Sequence, residues 1–261
     1  MNDASGTLFH SLGGPPGFAV ENFWISGTCC AEATVAGAQQ APEIQKFSTA
    51  KSGGPPPGEW KSVPLASFKK NTDYTLVTED GSVVLRAMAH GSASVLATKV
   101  DFDPHQFPTL SWRWKVAQGI PEANNADQSK EDAPVRVMVS FAGDSSKLNL
   151  GDRIAASTAQ SASGHPFPYA LLMYIWGGKV PIGSITTSKR TSRIKMIALN
   201  ADDQGLGKWH SFTRNLVDDY KKAFGEEPGN VTAIEVLTDT DNTGGDAEAF
   251  YGDISVGPPR P

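Results

Sequence analysis

The sequence predicts an all-β fold, a two-sheet antiparallel β-sandwich carrying one short helix. Three observations lead there. Short apolar runs alternate with turn signals from Trp60 almost to the end of the chain. Glycine (26) and proline (18) are in excess over an ordinary globular chain. Only one stretch carries a clear helical period. At 261 residues and 39% hydrophobic content the chain can bury a sizeable core, and a β-sandwich of this size commonly forms a single unit.

Residues 1–45 read as a poorly structured extension, rich in Gly, Ala, Ser and Pro, with a short strand expected around Phe23–Ile25. Lys51 to Gly58, KSGGPPPG, reads as a loop. Beyond it the expected strands are Tyr74–Thr78, Val83–Ala89, Ser94–Val100, Thr109–Val116 and Val135–Phe141. Ala170–Trp176, Arg193–Leu199, Trp209–Asn215, Val231–Thr238 and Ala249–Val256 complete the set. Asp80-Gly81 suits a tight hairpin, because glycine accepts a positive φ. The helix is expected near 216–224: Val217, Tyr220 and Phe224 share a face, Asp218 and Asp219 suit its positive end, and Gly225 can cap it.

Charge and cysteine narrow the function. A net charge of −5 argues against a general nucleic-acid binder, and no apolar run is long enough to span a membrane. The only two cysteines, Cys29 and Cys30, are adjacent and cannot staple distant segments. Residues 17–28 are interrupted by Glu21 and Asn22 and do not read as a secretory signal.

Strand alternation sorts candidate site residues from core. Val135, Val137, Val139 and Phe141 form an apolar face, with Arg136 opposite. Trp112, Trp114 and Val116 oppose Arg113 and Lys115, and Ile194 and Met196 oppose Arg193 and Lys195. Leu171, Met173 and Ile175 read as core, which puts Tyr174 and Trp176 on the other side. If these strands are neighbours in one sheet, its open face gathers Arg113, Lys115, Arg136, Arg193 and Lys195 beside two aromatic platforms. Aromatic rings stack on sugars, and arginine grips carboxylate or sulfate through two hydrogen bonds. The plainer reading is that the outer face of any antiparallel sheet is polar.

A second feature is the run Thr238-Asp-Thr-Asp-Asn-Thr-Gly-Gly-Asp246. Its alternating oxygens, with Asp239, Asp241 and Asp246, suit a structural calcium. An EF-hand is excluded, because the twelfth position from Asp239 is Phe250 where that motif needs Glu. Self-satisfied Asx turns are the alternative. No other cofactor is expected. His90 and His210 are the histidines placed to act as bases, without metal spacing, and the carboxylate pairs Glu131-Asp132 and Asp218-Asp219 complete the titratable candidates. Asp132, just before a strand, could act as acid or base in the groove.

The strings Leu110-Ser-Trp-Arg-Trp-Lys115, Glu131-Asp-Ala-Pro-Val-Arg136, Tyr174-Ile-Trp176, Asp218-Asp-Tyr220 with Phe224-Gly-Glu226, and Thr238 to Gly244 leading to Tyr251-Gly-Asp253 occur in this order. Together they resemble the bacterial domain-of-unknown-function 3047 (DUF3047) family over about residues 46–257. The resemblance implies a single jelly-roll domain similar to carbohydrate-binding modules and some polysaccharide lyases, and a periplasmic or secreted protein. It implies no settled mechanism. The first expectation is therefore an oligosaccharide or other small acidic ligand, held on a concave sheet face by Arg113, Lys115, Arg136, Tyr174, Trp176 and Lys195. A lyase would use the same groove, with Arg136 neutralising a uronate carboxylate, Tyr174 moving the proton and Asp132 assisting. A third reading is a cell-envelope interaction module.

Overall fold

The computed structural model describes residues 40–201 and 205–260. The expected strand at Phe23–Ile25 and both cysteines lie outside them. From Gln40 onward the chain forms one compact unit, a mostly antiparallel sandwich of two sheets. In chain order the strands are β1 (Lys61–Pro64), β2 (Asp73–Glu79), β3 (Ser82–His90), β4 (Ala93–Phe102), β5 (Thr109–Gln118) and β6 (Ala133–Phe141). They continue as β7 (Ala170–Trp176), β8 (Ile185–Thr187), β9 (Ile194–Asn200), β10 (Trp209–Asn215), β11 (Val231–Asp239), β12 (Asp246–Tyr251) and β13 (Ser255–Gly257). Among the described residues two α-helices are inserted, α1 (Leu150–Ser163) and α2 (Leu216–Phe224).

The larger sheet runs β1-β4-β11-β6-β7-β9-β8 and the smaller β10-β5-β12-β3-β2, with β13 added beside β5. Within the larger sheet only β7 and β9 pair in parallel. The β2–β3 hairpin turns on Asp80 and Gly81, both at positive φ (49° and 79°), the twist that a two-residue hairpin needs. The expected last strand is divided into β12 and β13, while β1, β8 and α1 are additions to the expected set.

The core between the sheets is aromatic. Trp112 of the smaller sheet meets Tyr174 of the larger at 4.9 Å between ring centroids. The Tyr251 hydroxyl crosses from the smaller sheet to donate to the Leu237 carbonyl at 2.8 Å. A second apolar cluster lies on the far face of the larger sheet, where Met138, Leu171, Met173, Ile175 and Met196 are covered by Val180 and by Leu65. The middle of that sheet is therefore buried on both sides, and every residue of β7 is buried.

Helix α2 closes one side of the core. Asn215 caps it by accepting from the backbone N–H of Val217 and Asp218, and Gly225 ends it at φ +74°. Tyr220 packs on Phe141 at 4.6 Å. Asp219 accepts from the Tyr174 hydroxyl at 2.8 Å and from Arg214 Nε at 2.8 Å, with Arg214 Nη2 on its other oxygen. Replacing Asp219 by Ala strands a buried hydroxyl and a half-buried guanidinium. We expect a loss of about 2–3 kcal/mol, read as a lower urea midpoint at unchanged slope; a midpoint equal to wild type would contradict the clamp.

Candidate functional site

The surface that remains open is the outer face of the smaller sheet. Alternation along β5 sends Trp112 and Trp114 into the core and Ser111, Arg113 and Lys115 outward. On β10 the residues opposite these three are Thr213, Ser211 and Trp209. Trp209 thus shares the outer face, with the Arg113 guanidinium 4.5 Å above its ring. Lys115 Nζ lies 5.4 Å from the same ring and 4.8 Å from that of Phe250. The Trp209 indole N–H donates to Asp80 at 2.8 Å, which fixes the plane of the platform.

The two cations differ in what they are free to do. Lys115 is nearly buried, ion-paired with Glu79 and 3.9 Å from Asp80. Arg113 makes no ion pair among the described residues, and its stem lies against Gly252, where a Cβ would sit 2.5 Å from Cγ. Beside it opens a trough of about 480 Å³, walled by Ser48, Ser111, Ser211, Thr213 and Ser255. Arg260 reaches Ser111 Oγ at 3.2 Å, adding a second cation. The trough's carboxylate, Asp253, is occupied by Ser48, whose N–H and Oγ reach it at 3.0 and 2.5 Å.

The expected groove is corrected in its membership. Arg113 and Lys115 lie on the smaller sheet, whereas Arg136, Tyr174, Trp176, Arg193 and Lys195 belong to the larger sheet or its border. Tyr174 and Trp176 are core residues, fully buried between the sheets. Burial, and next to it the Asp219 carboxylate, holds the Tyr174 phenol well above its ordinary range, which disfavours it as a proton shuttle. Lys195 donates to Thr187 Oγ1 at 2.8 Å, and Arg193 pairs with Glu226 at 2.6 Å while covering the Tyr169 ring. His90 pairs with Asp246, and His210 bonds Gly205 O and the Asn200 amide. Trp209, Arg260 and the hydroxyl wall were missed. The alternation of Trp209-His-Ser-Phe-Thr-Arg-Asn215 carried the signal for Trp209 and its neighbours.

The acidic run forms part of a buried cluster on the larger sheet. Arg136 grips Asp239 through Nε (3.2 Å) and Nη2 (3.1 Å), and Nη2 also donates to the Glu131 carbonyl. Asp132 is fully buried and accepts from the backbone N–H of Asn242 (3.1 Å) and from the N–H and hydroxyl of Thr243 (2.7 Å each). Lys69 reaches Asp241 at 2.5 Å. Asp132, Asp239 and Asp241 offer carboxylate oxygens within 4.8 Å of one another, a set capable of coordinating a metal ion. Asp246 is outside this set: it is over half exposed and pairs with His90. Arg136 and Asp132, sealed from solvent and committed to these partners, cannot reach a ligand in an open groove.

Burial pushes the Asp239 carboxyl up to about 6; Arg136 opposes the shift and Asp132 adds to it. The folded protein therefore holds this proton more tightly than an unfolded chain, whose aspartate titrates near 4. The group's contribution to stability is greatest below about pH 4 and is lost as pH rises through about 6. The melting temperature of wild type relative to Asp239→Asn should fall by several degrees between pH 4 and 7. Parallel melting curves would contradict the shift.

These residues sit within a recognised family. The chain belongs to the DUF3047 family, described as a protein of unknown function, whose model matches residues 58–255. No curated protein matches the sequence. Among solved structures, a family 4 carbohydrate-binding module ("CBM4 structure and function") is 10% identical, at a TM-score of 0.38, over 83% of this chain and 100% of its own. The xyloglucanase domain of NopAA from Sinorhizobium fredii, in complex with cellobiose, is 10% identical at a TM-score of 0.40, over 80% and 97%. The exolytic PL7 alginate lyase AlyA5 from Zobellia galactanivorans is 11% identical at 0.33, over 78% and 96%. Likenesses this distant leave function to be argued from the chain's own residues.

Proposed function

We propose that the protein binds an anionic, carbohydrate-like ligand on the outer face of its smaller sheet. The observation that carries this reading is Arg113, a cation without an acidic partner among the described residues, stacked on Trp209 beside an open trough walled by hydroxyls. Stacking on the ring holds the guanidinium plane while leaving its N–H groups available, the arrangement a carboxylate or sulfate needs for two parallel hydrogen bonds. The serine and threonine wall supplies donors and acceptors for sugar hydroxyls. No tyrosine or histidine lines the trough, so the reading is of binding rather than of proton abstraction from a uronate.

An acidic oligosaccharide at about 100 times its dissociation constant should stabilise the fold by roughly 2.7 kcal/mol, seen as a melting shift of several degrees. A neutral oligosaccharide of the same length should give little. Arg113→Ala should weaken binding tenfold or more by titration calorimetry while melting unchanged in the free state, and Trp209→Ala should weaken binding as much while lowering the melt, since Trp209 covers Lys115. Equal shifts from neutral and acidic sugars, or undiminished binding by Arg113→Ala, would refute the assignment.

Calcium is the cation whose chemistry suits Asp132, Asp239 and Asp241, but Arg136 and Lys69 already bring two positive charges to these carboxylates. A bound ion would have to displace Lys69 from Asp241. We therefore expect the melting temperature to be the same in millimolar calcium and in chelator, and a drop of several degrees in chelator would assign a structural calcium instead.

A further inference from the structure

Helix α1 turns its two largest aliphatic side chains away from the protein. Asn149 caps it by accepting from the N–H of Asp152, and Gly164 ends it in the left-handed conformation. At 3.6 residues per turn, the side turned toward the protein carries Asp152, Ala155, Ala156, Ala159 and Ser163, all buried or half-buried. The opposite side carries Leu150, Ile154, Ser157 and Ser161, all exposed. Leu150 is 74% and Ile154 58% exposed, while the only buried residue of the helix is a carboxylate. A surface helix normally turns its larger aliphatic residues inward, whereas here only alanines face the protein beside Asp152 and Ser163. A 14-residue helix gains little from propensity alone, so its stability rests on what holds its inner side to the protein.

The helix is held in place by polar bonds. Asp152 accepts from Thr191 Oγ1 (2.6 Å), from the N–H of Ser192 (2.8 Å) and from Ser192 Oγ (2.6 Å), as well as from the Asn149 amide (2.7 Å). That bond set seats the turn Ser188–Arg193 against the first turn of α1. Lys189 and Arg190, both exposed, therefore flank the helix on one side, and exposed Lys147 and Arg153 stand at its N-terminal end. None of the four makes an ion pair among the described residues. Arg153 is braced through its guanidinium on the carbonyls of Leu148 (3.0 Å) and Ser146 (2.7 Å). Of the acids in these two stretches, Asp152 is consumed by its four donors, leaving only Asp144 on the surface. On a chain of net charge −5 this is a local cationic patch around two projecting aliphatic side chains.

We propose that α1 and the 188–193 turn dock onto an anionic lipid surface. Leu150 and Ile154 enter the acyl boundary, and Lys147, Arg153, Lys189 and Arg190 meet the headgroups. The charge pattern selects this occupant over a second copy of the chain, which would set four cations against four cations. This surface is on the other sheet's border from the trough, and its test is independent of any sugar.

The experiment is co-sedimentation of the full chain with vesicles of phosphatidylglycerol mixed with phosphatidylcholine, against vesicles of phosphatidylcholine alone. Wild type should pellet with the anionic vesicles only, and tenfold higher salt should release it. The pairs Leu150→Ser with Ile154→Ser, and Lys189→Glu with Arg190→Glu, should each reduce partitioning at least tenfold. All four positions are exposed, so both variants should melt as wild type does. Failure of wild type to pellet with anionic vesicles overturns the proposal, as does undiminished pelleting by either variant. A dimer in sedimentation velocity that the Leu150/Ile154 variant abolishes would assign the face to a second copy and overturn it equally.

Discussion

Burial of the larger sheet on both faces sets the terms for everything else in this molecule. Its central strands meet the smaller sheet on one side, through Tyr174 and Trp176, and the second apolar cluster under Leu65 and Val180 on the other. A strand covered twice has no side left on which to meet a ligand. Polar groups it carries must find partners inside the protein, because an unpaired buried charge or hydroxyl costs far more than a paired one contributes. Arg136 with Asp239, and Tyr174 with Asp219, answer that requirement. Their chemistry is that of internal fasteners. The loop carrying Asn242 and Thr243 is pinned to β6 through Asp132 in the same manner.

The smaller sheet has the complementary situation. Only its inner face is covered by the other sheet, so the outer side can afford an arginine with no acidic partner. Arg113 is only half-buried, so it keeps contact with water and its lack of an ion pair is inexpensive in the free protein. Lys115, two residues along the same strand, shows the contrast: nearly buried beneath Trp209 and Phe250, it is matched by Glu79. Burial and pairing go together on this strand: the buried Lys115 is matched by an acid, and the half-buried Arg113 beside the trough is not.

The strands were legible because alternation and turn chemistry are local properties. Asp80-Gly81 announced a hairpin, and Asn215 with Gly225 bounded α2 as their residue types require. What alternation could not deliver is which alternate set faces which neighbour when both sets are apolar. In Ala-Leu-Leu-Met-Tyr-Ile-Trp the choice of Leu171, Met173 and Ile175 as core was correct for the far cluster, yet Leu172, Tyr174 and Trp176 are core as well. The acidic cluster was half visible. Asp239 and Asp241 share a run, but Asp132 arrives from a strand start more than a hundred residues earlier in the chain, a meeting that spacing cannot foretell. Helix α1 escaped notice for a physical reason too: its inward face is alanine and aspartate, so it has no apolar stripe of the usual kind. The Asn149-to-Asp152 cap and Gly164 were its remaining signals.

Charge, then, has to be read together with what surrounds it. Five of the cations expected to line a groove were Arg113, Lys115, Arg136, Arg193 and Lys195, and by residue type they are equivalent. The structure separates them by partner: Asp239 for Arg136, Glu226 for Arg193, Glu79 for Lys115, a threonine hydroxyl for Lys195. A guanidinium already holding two carboxylate oxygens has little left to offer a third anion, whereas Arg113 offers its whole fork. A carboxylate or sulfate arriving at that position would replace water rather than a protein partner. That difference, set by tertiary neighbours and absent from strand periodicity, is what separates Arg113 from the other four cations.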